Sequence, residues 1–281
     1  MVTAIILISI CVFVVMMCLL LLYCIAPNTG RKSQMTVFEE KYIAHRGLFD
    51  NRSSAPENSI PAFKKAVENG YGIELDVQLT SDHQLVVFHD ETLKRMCGVE
   101  RILHKCTFSE LQLYTLAESE EKIPLFEDVL KIIDGKVPLI VEVKSEGDWK
   151  ETTKVMAEMM DDYQGVYCME SFHPFAVEWF RKNRPNIIRG QLSTNYFKDE
   201  IKRKWYERFV LTNLMLNFKS KPDFIAYNHL WRNQWGYRLC RKFFDVENVA
   251  WTIKNSDELR KAEEVFQIII FDSFIPDRRI K

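Results

Sequence analysis

The chain opens on an unbroken apolar run. From Ala4 to Ala26 nearly every side chain is apolar, and no charged residue occurs before Arg31. A helix of that length spans about 34 Å, enough for a bilayer core. A cleaved signal peptide would need a basic start and an apolar stretch of only about 7–15 residues, and neither is present. Bulky Tyr23 before Cys24 argues against a lipid-attachment site. The pattern predicts a transmembrane anchor over residues 1–26, a polar linker over 27–39 and one soluble domain over 40–281.

Beyond the linker, short apolar runs alternate with helical spacing. Tyr42-Ile43-Ala44 reads as a strand ending in His45-Arg46-Gly47. Between Ser59 and Asn69, Ile60, Phe63, Ala66 and Val67 recur as on one helix face, and Asn69-Gly70 stops the run. Further strands are predicted over 137–144, 166–172, 187–192, 224–228, 249–253 and 268–271. Helices are predicted over 108–114, 124–133, 150–163, 174–183, 199–214, 235–244 and 256–265. Alternating strands and helices mean βαβ units around a parallel sheet. About eight such units suit a closed (β/α)8 TIM barrel, the fold class expected here after one N-terminal transmembrane helix.

One strand is in excess, and a hairpin over 72–90 accounts for it, because its short turn forces antiparallel pairing. Glu74 and Asp76 are two apart and share a face. With Ser81–Gln84 as the loop, Thr80 faces Leu85 and Asp76 faces His89, with Cβ atoms about 5 Å apart. The hairpin then gathers two carboxylates and an imidazole on one surface.

Composition changes this picture little. The 281 residues carry a net charge of −1, 47% hydrophobic and 27% charged residues. That composition is globular rather than disordered, and without a basic field nucleic acid is not an expected partner. Cys11, Cys18 and Cys24 belong to the apolar run; Cys97, Cys106, Cys168 and Cys240 lack metal-ligand spacing and read as reduced thiols. Arg31 and Lys32 follow the span and nothing basic precedes it. The positive-inside rule then puts the soluble domain in the cytoplasm.

The chemistry lies at the strand ends. Strands of a parallel barrel should be nearly continuous apolar runs, yet several here end in charge. In this fold the C-terminal ends of the strands build the active site. Glu74, Asp76 and Glu142 are candidate ligands for one hard divalent cation, Mg²⁺ or Ca²⁺. His45 and His89 are a candidate general acid/base pair. Arg46 and Lys144 are candidate phosphate contacts, with ion pairs to Glu57 and Glu142 as the structural alternative. Glu57, Phe172 and Trp251 are candidate pocket residues, while His173 and His229 follow strands and are weaker ones. His83 and His104 have no such setting.

Taken in order, His45-Arg46-Gly47, Pro56-Glu57-Asn58-Ser59, Glu74-Leu75-Asp76-Val77, Val86-Val87-Phe88-His89-Asp90 with Thr92-Leu93-Lys94-Arg95, Ile123-Pro124, Glu142-Val143-Lys144 and Trp251-Thr252 resemble the motifs of the glycerophosphodiester phosphodiesterase family. The resemblance covers roughly residues 40 to 275 and is to a membrane-anchored, bacterial-type member. It implies a TIM barrel of the phospholipase C-like phosphodiesterase type. It also implies His45 and His89 as the acid/base pair, Glu74, Asp76 and Glu142 as ligands of Mg²⁺ or Ca²⁺, and Arg46 and Lys144 on the phosphate. Glu57 matches a polar residue near the metal. Family members often carry a larger insertion where residues 91–122 stand here. The expected reaction is metal-dependent hydrolysis of a glycerophosphodiester to glycerol 3-phosphate and an alcohol. A lysophospholipid or a phosphatidylglycerol-type headgroup is the second expected substrate class, since the anchor holds the domain at a membrane. A catalytically silent, anchored binding module is the remaining alternative, although such a module has no physical need for two histidines beside three acids.

Overall fold

In the computed structural model, which describes residues 1–276, the first element is the 24-residue helix α1, Val2–Ile25. A 3₁₀ turn, Lys32–Met35, leads into the short helix α2, Thr36–Glu39. Then come β1 (Ile43–His45), α3 (Ile60–Glu68), β2 (Gly72–Leu79) and β3 (Leu85–Val87). Residues 91–125 hold two one-turn helices, α4 (Lys94–Cys97) and α5 (Phe108–Leu111), and the chain continues into α6 (Phe126–Ile133). From there strand and helix alternate: β4 (Leu139–Val143), α7 (Trp149–Met160), β5 (Tyr167–Ser171), α8 (Pro174–Asn183) and β6 (Ile188–Ser193). Two helices, α9 (Trp205–Thr212) and α10 (Asn217–Ser220), precede β7 (Phe224–Asn228). The described chain closes with α11 (Trp235–Phe243), β8 (Glu247–Ile253), α12 (Ser256–Glu263) and β9 (Ile268–Phe271).

The parallel strands run in the order β1-β2-β4-β5-β6-β7-β8-β9, and β9 returns to pair with β1 through Ile43 and Ile270. The sheet is therefore a closed (β/α)8 barrel. β3 pairs with β2 alone and antiparallel, which is the expected excess strand.

Strand alternation divides the side chains into two layers. Ala44, Ile73, Leu75, Val141, Met169, Ile225 and Ala250 face outward and pack with helix residues such as Phe63, Phe126, Met156, Phe180 and Tyr237. The opposite parity faces inward: Ile43, Ile140, Cys168, Ile188, Phe224, Val249, Ile268 and Ile270 form the barrel interior. Gly190 belongs to this inner set because a Cβ there would lie 2.1 Å from the Phe224 ring. The N-terminal mouth is plugged by Met35 and Phe38, both fully buried against the interior. The segment read as a polar linker is thus packed to the barrel, and Arg31 donates to the carbonyls of Pro185 and Ile187 at that end.

Local signals explain most boundaries. The Ser59 hydroxyl accepts from Ala62 N at the start of α3, and Asn69 follows its end. The helix expected over 199–214 is shorter, Trp205–Thr212. Asp199 is occupied instead, accepting from the Thr194 hydroxyl and from Trp231 Nε1 (2.7 Å), while Asn195 Oδ1 takes the backbone N–H of Phe197 and Lys198. These contacts hold 194–200 as a turn-rich loop.

The hairpin register differs from the expectation by one residue. Leu79 pairs with Leu85, Gln78 with Val86 and Val77 with Val87, so Asp76 faces Phe88 and not His89. The turn is shorter than the expected loop because His83 adopts φ +58° and the Thr80 hydroxyl accepts from Gln84 N (2.9 Å). A bulged three-residue hairpin loop with one left-handed residue fits this geometry. A one-residue slip would turn every later side chain to the other face if the strand continued, but β3 ends at Val87.

Candidate active site

The inward parity that is apolar low in the barrel becomes polar at its C-terminal end. Ile43 is followed on the same side by His45, and Ile140 by Glu142; Cys168 is followed by Glu170 and Phe172. Ile270 is followed by Asp272, while β2 contributes Glu74. These side chains line a cavity of about 500 Å³ with Arg46, Glu57, His89, Leu192, Trp251 and Lys254. Burying acids here is costly unless something compensates them.

Three carboxylates meet at its floor. Ligand oxygens of Glu74, Asp76 and Glu142 all lie within 4.8 Å of one another, and all three residues are buried. Asp76 Oδ2 accepts from Asn58 Nδ2 (2.9 Å), whereas the buried Oδ1 accepts no hydrogen bond and lies 3.5 Å from Lys144 Nζ. Burial, together with the charges of Asp76, Glu142 and Glu170, raises the Glu74 carboxyl well above its usual range. Burial raises Glu142 to about 7, with Lys144 opposing and Asp76 adding to the rise. Asp76 goes the other way: burial opposes its charge, but His89, Lys144 and Arg46 outweigh it. By itself, then, the cluster holds less than its full negative charge. Hard oxygen donors, mutual repulsion and an orphaned carboxylate oxygen together fit a divalent cation such as Mg²⁺ or Ca²⁺.

Each histidine is held from behind by an aspartate. His45 Nδ1 is 2.9 Å from Asp272 Oδ2, and His89 Nδ1 is 2.7 Å from Asp90 Oδ1. A carboxylate at Nδ1 fixes the tautomer that leaves Nε2 available for proton transfer. His45 Nε2 lies 3.9 Å from Glu74 Oε2. Burial, with Arg46 nearby, lowers His45 to about 4, and burial with Lys144 lowers His89. His45 is therefore neutral near pH 7, with Nε2 free to accept a proton.

His89 reaches the cavity although the strand register would turn it away. Past Val87 the chain leaves β3, with the Phe88 N–H donating to the Asp76 carbonyl (3.0 Å). The Gln78 side chain, next in the inward series after Asp76, donates to the carbonyls of Phe88 and Asp90, both at 2.9 Å. That amide fixes the segment carrying His89.

The cations are embedded among acids. Arg46 Nη1 donates to Glu57 Oε1 (2.7 Å) and its Nε lies 3.4 Å from Asp76 Oδ2. Its backbone has φ +57°, and the next residue, Gly47, has φ +83° and no room for a Cβ, which would lie 2.9 Å from the Ala62 backbone. The tight turn brings the Arg46 N–H to the Glu74 side chain at 3.2 Å. Lys144 Nζ is 3.0 Å from Glu142 Oε1. Glu57 is lowered to about 2, because Arg95, Arg46 and Asn51 outweigh its burial. Arg95 bridges Glu57 and Asp90 with four contacts of 2.7–2.9 Å, tying the first loop to the His89 segment.

Of the residues singled out in the sequence, His45, Arg46, Glu57, Glu74, His89, Glu142, Phe172 and Trp251 line the cavity, and Asp76 and Lys144 lie beside Glu142. His173 stacks on Trp149 outside the cavity, and His229 is buried beside Glu258. Five residues had no role assigned from the sequence: Glu170, Gln78 and Asp272, and Asp90 and Arg95, which stood there only as parts of motifs. Asp272 carried a signal, since it follows the apolar run of the last strand as His45 follows the first. Glu170, buried and raised well above its usual range, likewise sat in a strand run.

The model of the glycerophosphoryl diester phosphodiesterase family matches residues 45–229. The Bacillus subtilis protein YhdW, which carries a provisional glycerophosphodiester phosphodiesterase name, is 30% identical over 232 residues, covering 79% of this chain and 89% of that one. Glycerophosphodiester phosphodiesterase 1 of Homo sapiens is 25% identical over 275 residues, covering 85% and 78%. Among solved structures, an Oleispira antarctica phosphodiesterase in complex with the product sn-glycerol-3-phosphate is similar at a TM-score of 0.66, with 21% identity over 83% of this chain and 93% of that chain. At that identity the likeness speaks for the fold.

Proposed function

The chain belongs to the glycerophosphoryl diester phosphodiesterase family, and on that premise we propose that it hydrolyses glycerophosphodiesters to glycerol 3-phosphate and an alcohol with the help of a divalent cation. The observation that carries the reading is the pair of aspartate-backed histidines flanking three buried carboxylates in one cavity.

In this reading Glu74, Asp76 and Glu142 hold the cation, which when bound withdraws charge from the phosphoryl oxygens. Arg46 and Lys144 pair with the phosphate oxygens as they now pair with Glu57 and Glu142. One histidine, through Nε2, takes the proton of a glycerol hydroxyl as that oxygen attacks phosphorus. The other, in its imidazolium form, gives its Nε2 proton to the departing alkoxide. Water then opens the cyclic phosphate with the two roles exchanged. Asp272 and Asp90 hold the rings and stabilise each imidazolium as it forms. Phe172 and Trp251, with rings 5.4 Å apart, wall the cavity.

The soluble domain over 40–281 is taken as the catalytic unit. Helix α1 is long and apolar enough to cross a bilayer, and it is taken as the membrane anchor, with 31–38 closing the barrel base. The two basic residues after it, Arg31 and Lys32, favour a cytoplasmic domain.

Incubating the purified full chain with glycerophosphocholine tests the reaction. The expected products are glycerol 3-phosphate and choline; phosphocholine and glycerol would place the cut on the wrong side of phosphorus. A further expected result concerns Gln78, a positioning residue. Gln78→Leu should lower kcat by about tenfold or more through the His89 segment, with a small change in KM, as loss of a supporting hydrogen bond does at other sites. An unchanged kcat would remove that role.

A further inference from the structure

Strand β6 puts a charge into the outward layer of the barrel. Arg189 stands there, paired across β5 with the apolar Met169. It is 5% exposed, and its Nε and Nη1 are buried with no hydrogen-bond acceptor. Asp223 Oδ2 lies 3.5 Å from Nη1, but it already accepts from the Arg189 backbone N–H (3.1 Å) and from Arg31 Nη1 (3.3 Å). Asp223 Oδ1 accepts from Asn28 Nδ2 (2.6 Å). A guanidinium is rarely buried unless its fork is paired, and leaving it unpaired is costly.

The neighbours add cations rather than acceptors. Helix α8 packs on β6 and on α10, and it carries Arg181, whose Nε is also buried without an acceptor. Glu178 lies 3.8 Å from Arg181 and holds Lys182 more closely, at 2.7 Å. Lys221 follows α10 and donates one N–H to the carbonyl of Ala26 (3.0 Å). Arg31 is already engaged, donating to the carbonyls of Pro185, Asn186 and Ile187 and to the Gln34 side chain. The charge of Arg181 bears on both Arg189 and Lys221, and that of Arg31 on Arg189, so these groups share one field. Two guanidinium edges and an ammonium, short of acceptors, are a donor set for a tetrahedral oxyanion.

The cluster stands where α1 ends. The Ile25 carbonyl accepts from Asn217 Nδ2 (3.1 Å), which sets α10 against the last turn of α1. A helix of 24 residues fills the apolar thickness of a bilayer, so its end marks the headgroup layer. Lys221 is tied to that level through Ala26, and Asn28 and Arg31 lead the chain directly to Asp223. Arg31 and Lys32 favour the cytoplasmic leaflet, the one that carries the anionic lipids.

We propose that Arg189, Arg181 and Lys221 form a seat for a phosphate group, and that its occupant is the headgroup phosphate of an anionic phospholipid beside the anchor. The proposal rests on α1 as the membrane anchor and is independent of the phosphodiesterase reading. The seat lies at the N-terminal end of β6, whereas the catalytic cavity lies at the C-terminal ends of the strands, so binding involves no bond change. The bound lipid fixes the barrel against the bilayer surface.

The test uses the detergent-solubilised full chain in EDTA, so that the catalytic cation plays no part. Calorimetry in mixed micelles measures its affinity for dioleoyl-phosphatidylserine, for zwitterionic dioleoyl-phosphatidylcholine and for inorganic phosphate, which has the anion without the chains. Wild type should bind phosphatidylserine at least tenfold more tightly than either. Arg189→Met matches the apolar layer of Met169 and removes the fork; it should weaken phosphatidylserine binding tenfold or more. Arg181→Gln, at a partly exposed position, should act in the same direction. Arg238→Gln removes an exposed charge from α11 and should change binding less than twofold. Circular dichroism should be the same in all three variants. Equal affinity for the two lipids, equal affinity for phosphatidylserine and inorganic phosphate, unaltered binding in both Arg189→Met and Arg181→Gln, or an equal loss in Arg238→Gln would overturn the lipid seat. Failure of the full chain to float with phosphatidylcholine vesicles would overturn the anchor reading beneath it.

Discussion

His45→Ala and His89→Ala are each expected to lower kcat by about 10²- to 10⁴-fold, the usual span of acid/base catalysis, with folding intact. The two effects should be far from additive, because either proton transfer alone stalls the same bond change. Neither ring is an essential part of the apolar core: His45 and His89 line the cavity, and their contacts from behind are to Asp272 and Asp90. Asp272→Asn should fall between wild type and His45→Ala, since it leaves the imidazole but no longer fixes its tautomer. Circular dichroism and turnover of glycerophosphocholine check all of these together. Wild-type rates in either histidine variant would remove that residue from the mechanism.

Glu142→Gln is expected to have the second large effect, and it separates catalysis from stability. The substitution removes one of three candidate cation ligands and should lower activity at least 100-fold, with weaker cation binding by calorimetry, in the range expected when charge stabilisation is lost. The metal-free fold should respond oppositely. Glu142 stands at about 7 in the folded protein because burial disfavours its charge, above the ordinary 4.5 of an exposed glutamate. The folded state therefore holds this proton more tightly than the unfolded state. Its stabilising contribution is complete below about pH 4.5 and is lost as pH rises through about 7, by proton linkage. Relative to Glu142→Gln, chelated wild type should lose thermal stability over that window, and saturating cation should abolish the difference. A constant difference across the window would contradict the account of mutual repulsion in the cluster.

Much of this arrangement was legible in the sequence for a definite reason. In a parallel barrel the strands are buried on both faces, so a charged residue within an apolar run has few places to be. Glu74, Asp76 and Glu142 stand in such runs, and the fold brings them within 4.8 Å. His45 ends the first strand and Asp272 follows the last, and these strands are neighbours in the closed sheet. The sequence order puts them at opposite ends of the domain, so only the barrel closure pairs them.

The misread register has a local cause. Nothing in Thr80-Ser81-Asp82-His83-Gln84 announces a left-handed residue, because histidine rather than glycine holds it. The Thr80 and Asp82 side chains, 2.6 Å apart, close the turn one residue early. His89 still arrives because its position is set by the Gln78 amide and the Arg95 bridge, long-range contacts that alternation along a strand does not encode. The loop before α9 was misread for a similar reason: Asp199 bonds to Trp231, thirty-two residues away, instead of opening a helix.

The most direct test of the central claim is a coupled assay for glycerol 3-phosphate released from glycerophosphocholine by the purified full chain. It is run as isolated, after EDTA, and after Mg²⁺ or Ca²⁺ is restored. The account predicts release that EDTA abolishes and that at least one of the two cations restores, with His45→Ala inactive in every arm. Release that ignores chelation would contradict the cation's place among Glu74, Asp76 and Glu142, and undiminished release by His45→Ala would contradict the histidine pair.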